Sequence, residues 1–164
     1  MIKLIVLDVD GCLSDGKLFY TQEGIEIKNF NVKDGLGITT WLKLGHEVAI
    51  ITGRKSTIVE KRAKELGIKH LYQGIRDKQK VLRTLVSSLG LEFNNVAAIG
   101  DDLNDYNMLS LVGRSFTPKN GVTEIQSLVQ TSLSRDGGEG AVREMIDVLV
   151  NENNQKEEFL AIWL

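Results

Sequence analysis

Four short apolar runs constrain the fold of this chain more than any other feature. They are residues 2–7 (IKLIVL), 47–51 (EVAII), 69–72 (KHLY) and 96–99 (VAAI). The apolar residues are continuous rather than alternating, which is the pattern of strands covered on both faces, as in a parallel sheet. Helical patterns lie between them. Leu36, Ile38, Trp41, Leu42 and Leu44 fit one helix, stopped by Gly45. Ile58, Val59, Arg62, Ala63 and Leu66 fit a second, closed by Gly67. Val81, Leu82, Leu85, Val86 and Leu89 fit a third, with Gly90 after them. Strand–helix alternation of this kind predicts an α/β fold: a Rossmann-like parallel sheet with right-handed crossovers.

One stretch breaks the alternation. Residues 17–30 (KLFYTQEGIEIKNF) alternate polar and apolar around Glu23-Gly24, which predicts an inserted β-hairpin. Coming directly after the first strand, it would stand over the carboxyl end of the sheet, where ligands bind in this architecture. Pro118 and Asn120-Gly121 mark a late loop, and residues 137–140 (GGEG) a second, flexible one. An amphipathic helix is expected from about residue 141 to 150. The polar stretch 151–158 (NENNQKEE) is expected to be loosely ordered. The apolar terminus Phe159, Leu160, Ile162, Trp163 and Leu164 needs cover, from its own core or from another subunit.

The 164 residues suit a single domain, 1–164, and the apolar fraction of 42% is enough for a real core. A net charge of −2 with no basic stripe gives no sign of nucleic acid or of an anionic membrane surface. Cys12 is the one cysteine, so no internal disulfide and no zinc cluster is expected. The apolar start is short and ends at Asp8, which fits neither a signal peptide nor a membrane span, so a cytoplasmic location is expected.

The chemistry sits at the strand ends. Asp8-Val9-Asp10-Gly11 follows the first run, and Gly11 permits a sharp exit. Asp and Gly are also ordinary turn residues. Two carboxylates delivered to one sheet edge, however, repel unless a cation neutralises them, and Mg²⁺ takes carboxylate and phosphate oxygens together. Thr52-Gly53-Arg54 follows the second run. A hydroxyl and free N–H groups there suit a phosphate, although Thr52 or Ser56 could simply cap the next helix. Lys78 falls at a helix start, where the macrodipole disfavours a cation unless an anion faces it. Gly100-Asp101-Asp102-Leu103-Asn104-Asp105 follows the fourth run with more acid than capping requires.

Taken in order, DxDG, Thr, Lys and GDDxxD resemble the haloacid dehalogenase superfamily over essentially residues 1–145. The resemblance implies that Asp8 is the nucleophile of an aspartyl-phosphate mechanism and Asp10 the general acid and base. It implies Mg²⁺ held by Asp8, the main-chain carbonyl of Asp10 and Asp101, with Asp102 and Asp105 supporting them. Thr52 and Lys78 would hold the phosphoryl oxygens. Neither the Asp8–Thr52 interval nor the Thr52–Lys78 interval has room for a cap domain. Small uncapped members form tetramers, so the resemblance implies a homotetramer with the hairpins at its centre. Part of residues 151–164 would lie at a subunit interface, over a neighbour's site.

Finer matches (DVDGCLSDG, FNVKDGLGI, IITGRKS, HLYQG, GDDLNDYNML, GGEGAVRE) resemble the 3-deoxy-D-manno-octulosonate 8-phosphate phosphatases of lipopolysaccharide synthesis. That family's sugar-acid contacts fall here on Asp10, Asn31, Lys33, Asp34, Gly35, Thr52, Gly53, Arg54, Arg62 and Lys78. The chain has Lys33, Thr39 and Glu139 where Arg is usual in the family. Phosphatases of nine-carbon sugar acid 9-phosphates can carry Glu at the last of these, whereas Arg54 matches the octulosonate enzymes. A non-catalytic sugar-phosphate-binding or oligomerisation module on the same fold would have lost acids that are intact here: Asp8, Asp10 and Asp101.

Overall fold

The computed structural model describes all 164 residues. Its sheet has six parallel strands: β1 (Leu4–Leu7), β4 (Glu47–Ile51), β5 (His70–Tyr72), β6 (Val96–Ile99), β7 (Arg114–Thr117) and β8 (Thr131–Ser132). Their order is β5-β4-β1-β6-β7-β8. The chain leaves β1 to build one half of the sheet and returns beside β1 to build the other. Such a reversal opens a crevice at the strands' carboxyl ends. The register is tight: Leu4 pairs with both Glu47 and Val96, and Leu7 with both Ile50 and Ile99. The residues that follow β1, β4 and β6 therefore emerge side by side.

The continuous apolar runs are explained by the layers. Ile5 and Leu7 pack on one face with Ile38 and Trp41 of α1 (Val32–Lys43), Val59 of α2 (Thr57–Leu66) and Met145 of α6 (Ala141–Glu152). Leu4 and Val6 pack on the other with Leu82 of α3 (Lys78–Ser88), Met108 of α4 (Tyr106–Leu109) and Ile125 of α5 (Thr123–Leu128). Period-2 geometry divides β1 and β6 between two cores, so neither strand carries a polar residue. Helix ends follow local chemistry. Asn31 caps α1, Ser56 caps α2 and Asp77 caps α3, each accepting from a main-chain N–H, and Gly67 closes α2 at φ 76°. The hairpin is present as β2 (Phe19–Tyr20) and β3 (Glu26–Ile27), with no cap domain between any of the elements. No helix is long and apolar enough to cross a membrane.

Two expectations are corrected. Residues 137–140 are not a free loop. Gly138 N–H donates to the Cys12 carbonyl at 3.0 Å, and a Cβ on Gly137 would come within 1.7 Å of the Gly11 carbonyl oxygen. These glycines permit two backbones to touch. Residues 151–158 are ordered. Asn153 is buried, donating to the Ile2 carbonyl (2.8 Å) and accepting from the Ile2 N–H (2.9 Å), and α7 (Lys156–Ala161) follows. The apolar terminus is divided, with Leu160, Trp163 and Leu164 still exposed. Phe159 enters the core, and Trp163 Nε1–H donates to Thr40 Oγ1 at 2.8 Å.

Candidate active site

The three loops after β1, β4 and β6 enclose a cavity of about 160 Å³ lined by Asp8, Asp10, Thr52, Gly53, Arg54, Asp101, Asp102 and Asn104. Asp8 continues the β1 ladder, its N–H donating to the Ile99 carbonyl at 3.2 Å, so the strand itself aims the carboxylate. The chain then turns away at Gly11, with φ 100°. A Cβ there would overlap the Asp101 carboxylate, at 2.0 Å from Oδ2. Gly11 is thus required twice, for its backbone angle and for the close approach of Asp101. Of the two hydroxyls near α2, Ser56 is the cap, and Thr52 is left buried at the cavity.

Lys78 supports the site from beneath. Its side chain is only 1% exposed, and Nζ donates to Asp8 Oδ1 and to Asp105 Oδ1, both at 2.6 Å. This answers the question raised by a cation at a helix N-terminus, for two anions face it. Burial works against its charge, but Asp8 and Asp105 outweigh burial and hold its pKa above the ordinary lysine value. Asp105 is fully buried, and its second oxygen accepts from the Asp101 N–H at 3.0 Å. The sequence placed Asp105 in a supporting role; the structure makes it the pillar that fixes both Lys78 and the Asp101 loop.

The remaining charge is unbalanced. Burial, and next the charge of Asp105, pushes the Asp8 carboxyl up to about 8. Burial and the neighbouring Asp105 and Asp102 push Asp101 up to about 7. Both values say that these carboxylates are short of positive charge, which a divalent cation would supply. The donor set fits one: oxygens of Asp8 and Asp101 and the sulfur of Cys12 lie within 4.8 Å of one another. Mg²⁺ prefers the oxygens. The Cys12 thiol is buried and pushed well above its usual range, first by burial and then by Asp8, so it stays protonated and packs as a small apolar group.

Not every expected contact gathers here. Asn31 caps α1 and donates to the Gly138 carbonyl at 3.3 Å. Lys33 lines a separate cavity with Arg135 and Arg143. Asp34 and Gly35 are buried. Asp34 Oδ1 accepts from the Arg143 N–H at 2.8 Å, and Gly35 makes room for the Arg62 guanidinium, which a Cβ would meet at 2.5 Å. Arg62 itself lies over the Phe30 ring. Within one chain these five residues build the α1–α2–α6 junction and do not line the Asp8 cavity. Asn104, whose side chain reaches the cavity, carried no distinguishing signal beyond its place in the acidic motif.

Comparisons with known proteins agree with this fold. A model of haloacid dehalogenase-like hydrolases matches residues 71–146. The 3-deoxy-D-manno-octulosonate 8-phosphate phosphatase of Escherichia coli K12 is 42% identical over 157 residues, 96% of this chain and 84% of the relative. That of Yersinia pestis is 39% identical, over 95% and 83%. A crystal structure of the Moraxella catarrhalis enzyme, in complex with magnesium ion, phosphate ion and a KDO molecule, superposes with a TM-score of 0.96. It is 42% identical, and the match covers 99% of this chain and 94% of that one. The cobalt-bound form of the Haemophilus influenzae enzyme gives 0.90 at 37% identity, over 93% and 90%. The chain belongs to the 3-deoxy-D-manno-octulosonate 8-phosphate phosphatase family of haloacid dehalogenase-like hydrolases.

Proposed function

We propose that this chain is a Mg²⁺-dependent phosphatase that hydrolyses 3-deoxy-D-manno-octulosonate 8-phosphate to the free sugar acid and phosphate, in lipopolysaccharide synthesis in the cytoplasm. The observation that carries this reading is the Asp8 carboxylate, buried at the end of the central strand, bridged by Lys78 to Asp105 and facing Asp101.

In this reading a substrate phosphoryl group in the cavity meets the Thr52 hydroxyl and the N–H groups of Gly53 and Arg54, while the Lys78 ammonium, held beneath by Asp8 and Asp105, acts through the Asp8 carboxylate. An Asp8 oxygen attacks phosphorus, the bond to the sugar oxygen breaks, and Asp10 delivers a proton to that oxygen. Asp10 then takes a proton from a water, which attacks the aspartyl-phosphate, releasing phosphate and restoring Asp8. A magnesium ion held by Asp8, Asp101 and the Asp10 carbonyl would neutralise the carboxylates and polarise the phosphoryl group. Arg54, at the cavity rim, is placed to meet the sugar. The roles of Asn31, Lys33, Asp34, Gly35 and Arg62 are assigned differently: the buried pair Asp34 and Gly35 holds Arg62 and α6 in position, and any contact with sugar comes from Asn31, Lys33 or Arg62. A homotetramer is supported by the outer face of the hairpin, where Phe19, Ile25 and Ile27 are exposed together.

The test compares kcat/KM for octulosonate 8-phosphate and for nine-carbon sugar acid 9-phosphates, with and without EDTA. The octulosonate ester is expected to be preferred, EDTA to abolish turnover and Mg²⁺ to restore it. A preference for the nine-carbon esters, or undiminished rates in EDTA, would overturn the substrate or the metal respectively.

A further inference from the structure

The hairpin carries a buried ammonium that no motif announced. β3 alternates as its strand geometry requires. Ile25 and Ile27 point outward, 62% and 54% exposed, while Glu26 and Lys28 turn toward the site. The Lys28 side chain is 1% exposed, and its Nζ donates to Asp10 Oδ1. Glu26 Oε1 lies 3.2 Å from the same Nζ and also accepts from the Arg54 guanidinium at 2.9 Å. Arg54 in turn donates to the Tyr20 hydroxyl at 3.0 Å. A relay Asp10–Lys28–Glu26–Arg54–Tyr20 therefore fastens the hairpin to two of the three loops that form the cavity. An ordinary hairpin lysine keeps its head in water. One held out of water loses hydration that only close anionic partners can offset, and here both partners belong to the relay.

Lys78 bridges Asp8 and Asp105 and does not contact Asp10, whose ion-pair partner is Lys28. We propose that Lys28 is a positioning residue for the general acid: by occupying Oδ1 of Asp10 it fixes the carboxyl group so that Oδ2 carries the proton to the leaving oxygen, which makes the hairpin part of the catalytic apparatus. The proposal rests on the phosphatase reading above. It extends that reading by tying leaving-group protonation to an element outside the four motifs. Lys28 does not touch the reacting phosphorus, so in kcat/KM, which ends at formation of the aspartyl-phosphate, its effect is confined to the step that needs an acid; the later work of Asp10 as base enters kcat alone and is the same for every ester.

That restriction supplies the test. A sugar 8-phosphate leaves as an alkoxide and needs protonation, whereas 4-nitrophenyl phosphate leaves as a stabilised phenolate and does not. In Lys28→Met, kcat/KM on the octulosonate ester is expected to fall about 100-fold, a typical share of general-acid catalysis. The kcat/KM for 4-nitrophenyl phosphate is expected to fall by less than about 5-fold, on the same reasoning. Lys28→Arg should recover most of the loss, and Asp10→Asn should show the same selectivity between leaving groups in kcat/KM. Equal losses on the two esters, or no loss on either, would overturn the proposal. If Lys28→Met does not fold, Lys28→Gln is read by the same ratio. A wild-type chain inactive on every phosphate ester, or an Asp8→Asn variant as fast as wild type, would instead sink the phosphatase reading and this proposal with it.

Discussion

The two ends of the central sheet solve the burial of polar groups in opposite ways. At the amino end, Asn153 closes on Ile2 with a pair of hydrogen bonds, and His46 Nε2 meets Gln155 Oε1 at 2.7 Å. Those side chains are packed and matched by partners, so they serve stability. At the carboxyl end, Asp8, Lys78, Asp101 and Asp105 are packed together with more negative than positive charge, and two of the acids are driven far above their ordinary range. Such a cluster weakens the fold. Its retention next to a phosphate-sized cavity is intelligible only if the charge is needed for chemistry, and the comparison teaches where stability gives way to function.

Removing the nucleophile should widen that contrast most. Asp8→Asn should lower kcat by at least about 10⁴-fold, the order seen when a covalent nucleophile is lost. Its stability should move the other way. The folded-state pKa of Asp8 is about 8 against an ordinary 3.8, so the native state holds a proton that the unfolded chain releases. Stability tied to this group is complete at low pH and is lost as pH rises through 8. At pH 7 in EDTA, Asp8→Asn should therefore melt at or above the wild-type Tm. An inactive variant that melts well below wild type would mean that the cluster supports the fold after all.

The amino end predicts the mirror image. Asn153→Ala strands the buried N–H and carbonyl of Ile2, a loss of roughly 3–5 kcal/mol from two unpaired main-chain groups. Urea unfolding should show that loss while kcat/KM at 25 °C stays near wild type. A fall in activity that exceeds the fraction unfolded would couple the two ends and break the comparison.

How much of this could be read from the residues alone differs between the ends. The carboxyl end was legible because each of its loops follows a strand whose apolar run is unmistakable. Asp8, Thr52 and Asp101 needed only the rule that parallel strands end on one edge. Lys78 was legible for a second reason, its awkward place at a helix N-terminus. The amino end was not. The stretch 151–158 is polar by composition, and nothing local shows that Asn153 meets Ile2 across most of the chain. The strands β7 and β8 were missed because their sequences are largely polar. RSFT and TS carry little of the β-branched, apolar signature of a central strand. Lys28 was missed for a physical reason too. A polar residue alternating in a hairpin reads as solvated, and only the position of the hairpin over Asp10 makes it buried.

A residue from neither end gives the smallest and most selective test. Asp34 is buried beside α6, with Oδ1 held by the Arg143 N–H and Oδ2 without a partner. Burial, only partly offset by that N–H and by Arg62, raises its carboxyl from an ordinary 3.8 to about 6. Between these values the folded chain keeps the proton and the unfolded chain has lost it. The stability associated with Asp34 is therefore full below about pH 4 and declines as pH climbs through 6, by roughly 2–3 kcal/mol in all. Asp34→Asn keeps an oxygen for the Arg143 N–H and cannot ionise. It carries a fixed cost for a buried amide without an acceptor, but that cost does not vary with pH. The difference in unfolding free energy between variant and wild type, measured at pH 4.5 and at pH 7.5, should shift toward the variant as pH rises. If the difference is the same at both pH values, Asp34 is ionised throughout, and its environment is closer to the compensated amino end than to the strained carboxyl end.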